Sequence, residues 1–289
     1  MAVALTSFSG FCGFRPADEI AAYLSSVPEF ADTVGEAGKA FASAKDKAAL
    51  KTLFHALMSA DDALVKRNVR SLVDDAQGTL SKLDKDVAAL VRQLDSDYAN
   101  DVGVLCTFML NIVSLSPGEA VFLKANEPHA YLSGDIVETM ATSDNVVRAG
   151  LTPKLRDVPT LTEMLTYTTL PPREQLLEPV AWPRASSSSS SRSDDGAKTL
   201  LYDPPIDEFS VLLTTLSGAG AREAHEPVDG PSIIIFTELK GSATLTDTKA
   251  KREIEVKREG AVYFIGAGVP IALTANEGNV VAYRSYVEA

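Results

Sequence analysis

Residues 117–154 read PGEAVFLKANEPHAYLSGDIVETMATSDNVVRAGLTPK and gather many chemically useful side chains in one stretch. A Pro-Gly pair opens the stretch, a Ser-Gly-Asp triplet interrupts it, and an Ala-Gly pair lies near its end. Short apolar runs between such turn residues are typical of β-strands. The stretch therefore predicts a few strands of a small barrel or sandwich, with ionisable side chains at its rim.

Two side chains of this stretch have open interpretations when only their chemistry is considered. His129 could offer an imidazole nitrogen to zinc, but a single histidine is weak support, because structural sites use four protein ligands and catalytic sites usually three. Arg148 carries a permanent charge and a fork of donors that suits a phosphate or a developing oxyanion. An ion pair of Arg148 with Asp144 or Asp157 is an equally good interpretation.

The composition limits the classes of partner. The chain has 289 residues with a formal net charge of −12, which argues against nucleic-acid and membrane-surface binding because phosphate backbones and anionic lipids would be repelled. Cys12 and Cys106 lie among apolar residues, which predicts buried free thiols in a reducing compartment. No basic leader is recognisable, so a cytoplasmic location is expected.

A helical region precedes the central stretch. From Pro16 to about residue 100, apolar side chains recur at helical spacing, which predicts roughly four helices. Gly78 and Thr79 are expected to end one helix and cap the next.

Residues 171–197 are rich in proline and contain six consecutive serines at 186–191, which predicts a disordered or loosely attached linker. Residues 198–289 hold strand-length apolar runs separated by glycines, and this pattern indicates a sandwich or jelly roll. His225 is assigned to a polar loop of that region, with a structural or interaction role.

The segment EPHAYLSGDIVETMATSDNVVRAGLTPK, residues 127–154, closely resembles the C-terminal signature of the type I mannose-6-phosphate isomerase (phosphomannose isomerase) family. The His, Tyr, Gly-Asp, Glu, Ser-Asp-Asn and Arg-Ala-Gly-x-Thr-Pro-Lys elements of that signature are present in order. The resemblance extends through LTSFSGFCGFRPADEI at 5–20 and LLYDPPIDEFSV at 200–211. It therefore covers essentially the whole chain.

The resemblance implies an α+β fold with a cupin (jelly-roll β-barrel) catalytic core that is incomplete here, a helical insertion and a C-terminal cupin-like β-domain. It also implies zinc-dependent interconversion of mannose 6-phosphate and fructose 6-phosphate through an enediol, which feeds GDP-mannose synthesis. The expected division of the chain is a remnant of catalytic cupin strands in 1–15, the helical insertion in 16–101, the central cupin segment with the signature in 102–170, the linker in 171–197 and the C-terminal domain in 198–289.

The resemblance also implies site residues. The family's later zinc-binding histidine falls on His129 and its active-site arginine on Arg148. Tyr131, Glu138 and Lys154 fall on positions that line the sugar-phosphate pocket. Zinc would polarise the substrate oxygens, and Arg148 would stabilise negative charge as the proton leaves.

The sequence departs from the family pattern in one respect. The family's other zinc ligands, in a Gln-x-His pair and an Asn-His-Lys-Pro-Glu motif, occur nowhere in the chain. We therefore expect an N-terminally truncated chain that binds zinc weakly and has no isomerase activity alone. The alternative is a short non-catalytic paralogue acting in binding or regulation. Joint retention of His129, Arg148 and Lys154 favours the truncated isomerase.

Overall fold

A computed structural model describes residues 1–143, 146–187 and 196–288. Its first strands form two three-stranded antiparallel sheets, sheet A in the order β4-β1-β6 and sheet B in the order β3-β2-β5. Small and apolar side chains of both sheets pack in one buried cluster, so the two sheets form a half-barrel. The strands are β1 Ala2–Ala4, β2 Phe8–Phe14, β3 Leu110–Leu115, β4 Ala120–Val121, β5 His129–Ser133 and β6 Ile136–Glu138.

A helical region lies between β2 and β3 in the chain. Most of its helices begin where an aspartate accepts hydrogen bonds from the next free backbone amides, as Asp46, Asp61 and Asp84 do. Their apolar faces share one core with the aromatic rings of Phe14 and Phe108. The helices are α1 Ala17–Ser26, α2 Pro28–Ala44, α3 Lys47–Met58, α4 Asp62–Val73 and α5 Lys85–Asp97, and α6 Val158–Met164 packs beside them.

The predicted helix start at Gly78 and Thr79 is wrong. A short 3-10 helix occupies Leu80–Lys82, and α5 begins only after Asp84, whose carboxylate accepts from the amides of Asp86 and Val87. Thr79 does not cap, because its hydroxyl donates instead to the buried carboxylate of Glu29 at 3.0 Å.

The C-terminal part is a closed pair of antiparallel sheets, as the glycine-separated strand pattern predicted. Sheet C has the order β15-β12-β17-β10-β9-β7 and sheet D the order β14-β13-β16-β11-β8. The strands are β7 Val180–Ala181, β8 Ala185–Ser187, β9 Ala197–Tyr202, β10 Ser210–Leu216, β11 Arg222–His225, β12 Ser232–Leu239, β13 Ala243–Asp247, β14 Arg252–Val256, β15 Val262–Ile265, β16 Ile271–Ala275 and β17 Val280–Tyr286.

Sheet C packs on a neighbour on each face, while Ile233, Val262 and Phe264 on its outer face are exposed. Its inner face meets sheet D through apolar residues such as Leu216, Ile234 and Phe236. Its outer face packs on the half-barrel, where Val211 and Tyr283 join Val3 in one cluster. The Tyr202 hydroxyl also donates to the carbonyl of Gly118 at 2.6 Å. The half-barrel and the C-terminal barrel therefore share sheet C as a wall.

Two expectations for the C-terminal part are wrong. Residues 180–187 are not loosely attached, since β7 pairs with β9, β8 pairs with β11, and Trp182 between them is 5% exposed. The rest of the serine-rich segment, residues 188–195, lies outside the described residues. His225 lies in β11 rather than in a polar loop, and its side chain is buried.

The two cysteines are free and buried, as predicted. Burial raises the pKa of each thiol to about 12, so both remain protonated near neutral pH. No helix in the described part of the chain is both long and apolar enough to cross a membrane.

Candidate functional site

Strand β5 presents His129 at the edge of the half-barrel. Because side chains alternate along a strand, His129 and Tyr131 share one exposed face, while Ala130 and Leu132 pack against the helical core. The Nδ1 atom of His129 lies 2.9 Å from the carbonyl oxygen of Glu127, which can only accept a hydrogen bond. Nδ1 therefore carries the hydrogen, and Nε2 keeps the free lone pair that a metal ligand needs.

Tyr131 and Glu138 join the two small sheets. The Tyr131 hydroxyl, on β5 of sheet B, donates to Oε1 of Glu138 on β6 of sheet A at 2.5 Å. The Tyr131 ring lies edge-on to Phe8, with 5.6 Å between ring centroids. Burial, and then the bond to the Glu138 carboxylate, raise the pKa of Tyr131. The hydroxyl is therefore a fixed donor at the open side of the half-barrel.

The glycine in the Gly-Asp element of the signature is required for a steric reason. Gly134 turns the chain from β5 to β6 with a φ of +93°, and a Cβ there would lie 2.4 Å from the carbonyl oxygen of Ser7. Only glycine fits so close to another backbone in that conformation. Next to it, the carbonyl of Asp135 accepts from the amide of Leu5 at 2.8 Å. The turn fixes β5 and β6, and with them Tyr131 and Glu138, relative to β1 and β2.

A second segment carries Arg148 and Lys154. Three residues after Arg148, the amide of Leu151 donates to Oδ1 of Asp101 at 2.7 Å, and the same oxygen accepts from the amide of Gly103 at 2.7 Å. A Cβ on Gly150 would lie 2.6 Å from Cα of Gly103. The segment is thus held against the start of the 3-10 helix Val102–Phe108.

Asp101 was missed by reasoning from the sequence, which treated residues 102–115 only as an apolar run. A signal was present, because aspartate is among the residues preferred at the N-cap of a helical turn. Nothing in the sequence indicated that the same carboxylate would also bind the amide of Leu151.

The cations of this segment differ in their partners. Among the described residues no ion pair includes Arg148 or Lys154, whereas neighbouring Arg156 pairs with Asp62 at 3.7 Å. Asp157 caps α6 by accepting from the amide of Thr160, and Asp144 lies outside the described residues. Arg148 is half-buried and Lys154 is exposed. The ion-pair interpretation therefore finds no support in the described residues, and the interpretation as an anion-binding cation stays open.

The predicted site residues thus fall into two groups. His129, Tyr131 and Glu138 lie together on β5 and β6, with 5.9 Å between the rings of His129 and Tyr131. Arg148 and Lys154 lie on the segment held by Asp101, and no described hydrogen bond or ion pair joins the two groups.

The described residues do not by themselves make a metal centre. Within 1–143, 146–187 and 196–288, no three His, Cys, Asp or Glu side chains are grouped so that they could hold a metal ion. His129 fits as one zinc ligand because it is exposed and its Nε2 is free, but catalytic zinc needs about three protein ligands.

Comparisons with known proteins agree with this picture. The family described as "Phosphomannose isomerase type I, helical insertion domain" matches residues 27–110. The family described as "Phosphomannose isomerase type I C-terminal" matches residues 199–249. The first match covers the predicted helical insertion in large part, and the second covers part of the C-terminal barrel.

Relatives are similar over the full chain. The mannose-6-phosphate isomerase of Candida glabrata is 41% identical over 305 residues, covering 100% of this chain and 68% of that protein. The Saccharomyces cerevisiae mannose-6-phosphate isomerase is 40% identical, with the same two coverages.

Among solved structures, mannose 6-phosphate isomerase from Salmonella typhimurium, bound to substrate (f6p) and zinc, has a TM-score of 0.79 at 28% identity. It is matched over 100% of this chain and 66% of its own length. The chain therefore spans about two thirds of the length of these relatives. The predicted fold class, a cupin core with a helical insertion and a C-terminal cupin-like domain, is confirmed. This chain belongs to the type I mannose-6-phosphate isomerase family, a family of aldose–ketose isomerases.

Proposed function

We propose that the chain forms one wall of an active site that interconverts mannose 6-phosphate and fructose 6-phosphate. The observation that carries this proposal is the position of the His129 ring, whose Nε2 has no hydrogen-bond partner among the described residues, beside the bonded pair Tyr131–Glu138 at the exposed edge of the half-barrel. A sugar offers several hydroxyl oxygens that such groups can bind. The structural relative with bound f6p supports the choice of a sugar phosphate as substrate.

Arg148 and Lys154 have roles that follow from charge. Since no described carboxylate neutralises either side chain, both cations are available to an anionic substrate. We assign Arg148 to the negative charge that develops on the sugar oxygens when the proton moves between C1 and C2. Lys154, which is more exposed, is assigned to the 6-phosphate.

The donor pair at β5 and β6 has a separate role. Tyr131 is held by Glu138 and stays protonated, so it can donate to a sugar oxygen only if the bond to Glu138 is exchanged for one to the substrate. We assign the pair to orienting the sugar ring rather than to proton transfer.

We further propose that His129 is one ligand of a zinc ion whose other ligands come from outside the described residues. The zinc in a structural relative and the free Nε2 of His129 support this. A cytoplasmic site of action is also proposed, on the support of two buried free thiols.

The test compares the chain alone with a fusion to the third of the Candida glabrata protein that lies outside its match. We expect the purified chain to hold far less than one zinc per molecule and to show no isomerase turnover. The fusion should gain both. In the fusion, Arg148→Ala should lower kcat by about 100- to 1,000-fold because a charge-stabilising donor is lost.

The matched control is Arg156→Ala, which removes an equal charge from the same segment but one already paired with Asp62. It should leave kcat within about twofold of that of the unsubstituted fusion, which is the size of effect expected of an ordinary surface substitution. Stoichiometric zinc or turnover in the chain alone would overturn the assignment of ligands. A zinc-loaded fusion without turnover would favour the non-catalytic paralogue.

A further inference from the structure

The C-terminal barrel encloses a row of polar side chains in an otherwise apolar interior. All of them project from strands of sheets C and D into the space between the sheets, and none is more than 4% exposed. They include one permanent cation, Arg284, which is 1% exposed. The row consists of Thr199, Thr214, Glu223, His225, Ser232 and Arg284.

Arg284 is only partly satisfied by its neighbours. Its Nε donates to the hydroxyl of Ser232 at 3.0 Å, and its Nη1 lies 3.4 Å from Nδ1 of His225. Its Nη2 is buried and has no hydrogen-bond acceptor in the described part of the chain. A buried donor of a charged group without an acceptor is strongly unfavourable.

His225 does not supply the missing negative charge. Because Nδ1 accepts from Arg284, Nε2 carries the hydrogen and donates towards the hydroxyls of Thr199 and Thr214 at 3.2 and 3.1 Å. Burial, and then the charge of Arg284, lower the pKa of His225 to about 3. The imidazole is therefore neutral at ordinary pH.

Glu223 does not supply the missing negative charge either. Among the described residues no ion pair includes Arg284, and Oε2 of Glu223 is itself buried without a hydrogen-bond partner. Burial raises the pKa of Glu223, which disfavours its charged form. The nearest further charge, Arg184, is another cation and acts against the positive charge of Arg284.

Residues 180–187 lie against this row, with β7 paired to β9 and β8 paired to β11. Trp182 lies edge-on to His225 with 4.9 Å between centroids, and the guanidinium of Arg184 lies 5.8 Å from the Trp182 ring. Arg184 pairs with Glu226 and Glu288, which belong to the outer surface. Anything bound at Arg284 would be shielded from solvent and small.

We propose that the C-terminal barrel binds a small inorganic anion of the size of chloride, held by Nη2 of Arg284 between sheets C and D. The anion completes the hydrogen bonding of the guanidinium and neutralises its buried charge. This site is separate from the one on the half-barrel, because the whole of sheet C lies between them.

The decisive experiment uses the unmodified chain. Crystals grown in sodium bromide should show an anomalous difference peak beside Nη2 of Arg284. An ordered water at that position, or no peak, would overturn the proposal. Bromide is suitable because it is close to chloride in size and can be located without any substitution in the barrel.

A second measurement tests the same site in solution. At constant ionic strength, replacing sodium gluconate by sodium chloride should raise the melting temperature by about 2 °C or more, since a ligand that binds only the folded state stabilises it. Arg284→Met should abolish this rise. The control Arg222→Met, on the same barrel but half-exposed and bonded to Thr274, should retain it. An equal rise in all three proteins would contradict the site.

Discussion

His129 in the half-barrel and His225 in the C-terminal barrel lie on strands of similar cupin-like sheets but differ in every property that governs ligand binding. His129 is exposed, with one nitrogen bound to a carbonyl and the other free. His225 is 1% exposed, and both of its nitrogens are bonded to side chains. The comparison teaches that, of these two histidines, only His129 keeps a ring nitrogen available to a ligand within the described residues.

The same contrast holds for the arginines. Arg148 has no described counter-charge but is half-buried, so solvent can moderate its charge until substrate arrives. Arg284 has no described counter-charge and is fully buried, so its partner must be inside the barrel. Arg148 is therefore accessible to solvent, whereas Arg284 is enclosed by the barrel.

The largest expected effect tests the core in which β2 of the half-barrel packs on the helical region. Phe14 is fully buried, with its ring 5.3 Å from Phe54 and 5.4 Å from Tyr167. Phe14→Ala should lower the free energy of unfolding by about 3–5 kcal/mol in urea titrations. Phe264→Ala in the closed barrel, at a side chain 73% exposed, should change it by less than about 0.5 kcal/mol. A loss below about 1 kcal/mol in Phe14→Ala would mean that this core is loosely packed.

The next effect concerns His225 and pH. Its folded pKa is about 3 against an ordinary value of 6.5, so its contribution is complete above pH 6.5 and is lost as pH falls towards 3. Between pH 7 and pH 5 this histidine alone should remove about 2 kcal/mol of stability. His225→Gln, which cannot titrate, should show a correspondingly smaller loss in urea titrations at the two pH values. Parallel losses in variant and wild type would contradict a neutral buried imidazole.

A smaller effect tests how the Arg148 segment is held. Asp101→Ala removes two hydrogen bonds of 2.7 Å, one within its own 3-10 helix and one to Leu151. The free energy of unfolding should fall by about 1–2 kcal/mol. Faster hydrogen exchange at the Leu151 amide should accompany this loss. Asp97→Ala, at an exposed position near the end of α5, is the control and should change neither quantity measurably.

The smallest effect is expected at the link between sheets A and B. Tyr131→Phe removes the hydroxyl that bonds to Glu138 but keeps the ring contact with Phe8. Because Tyr131 is 37% exposed, thermal unfolding should show a loss below about 1 kcal/mol. Tyr98→Phe, at another partly exposed ring, is the control. A loss of several kcal/mol would mean that this one bond holds the half-barrel together.

Much of the fold could be predicted from local patterns. The helices follow apolar spacing and aspartate caps, and the strands from Ser210 onwards follow glycine-separated runs. The start of α5 could not be predicted, because Thr79 is diverted by Glu29, fifty residues away in the chain. The regular structure of residues 180–187 could not be predicted either, because it depends on the pairing of β7 with β9 and of β8 with β11.

The candidate site could be predicted only in part, again because some of its contacts join residues that are distant in the sequence. His129, Tyr131 and Glu138 lie on two consecutive strands, so a continuous signature brings them together. Asp101 lies about fifty residues before Leu151, and only folding of the helical region brings them into contact. The buried row around Arg284 draws on strands distant in sequence, and no local pattern marks such a row.

Sheet C has a consequence for how the molecule melts. Because one face of sheet C lines the core of the C-terminal barrel and part of the other face packs on the half-barrel, neither barrel can unfold without exposing apolar surface of the other. We therefore expect one cooperative transition, with a calorimetric enthalpy equal to the van't Hoff enthalpy. A chain built from separate cupin-like modules should in this respect behave as a single folding unit.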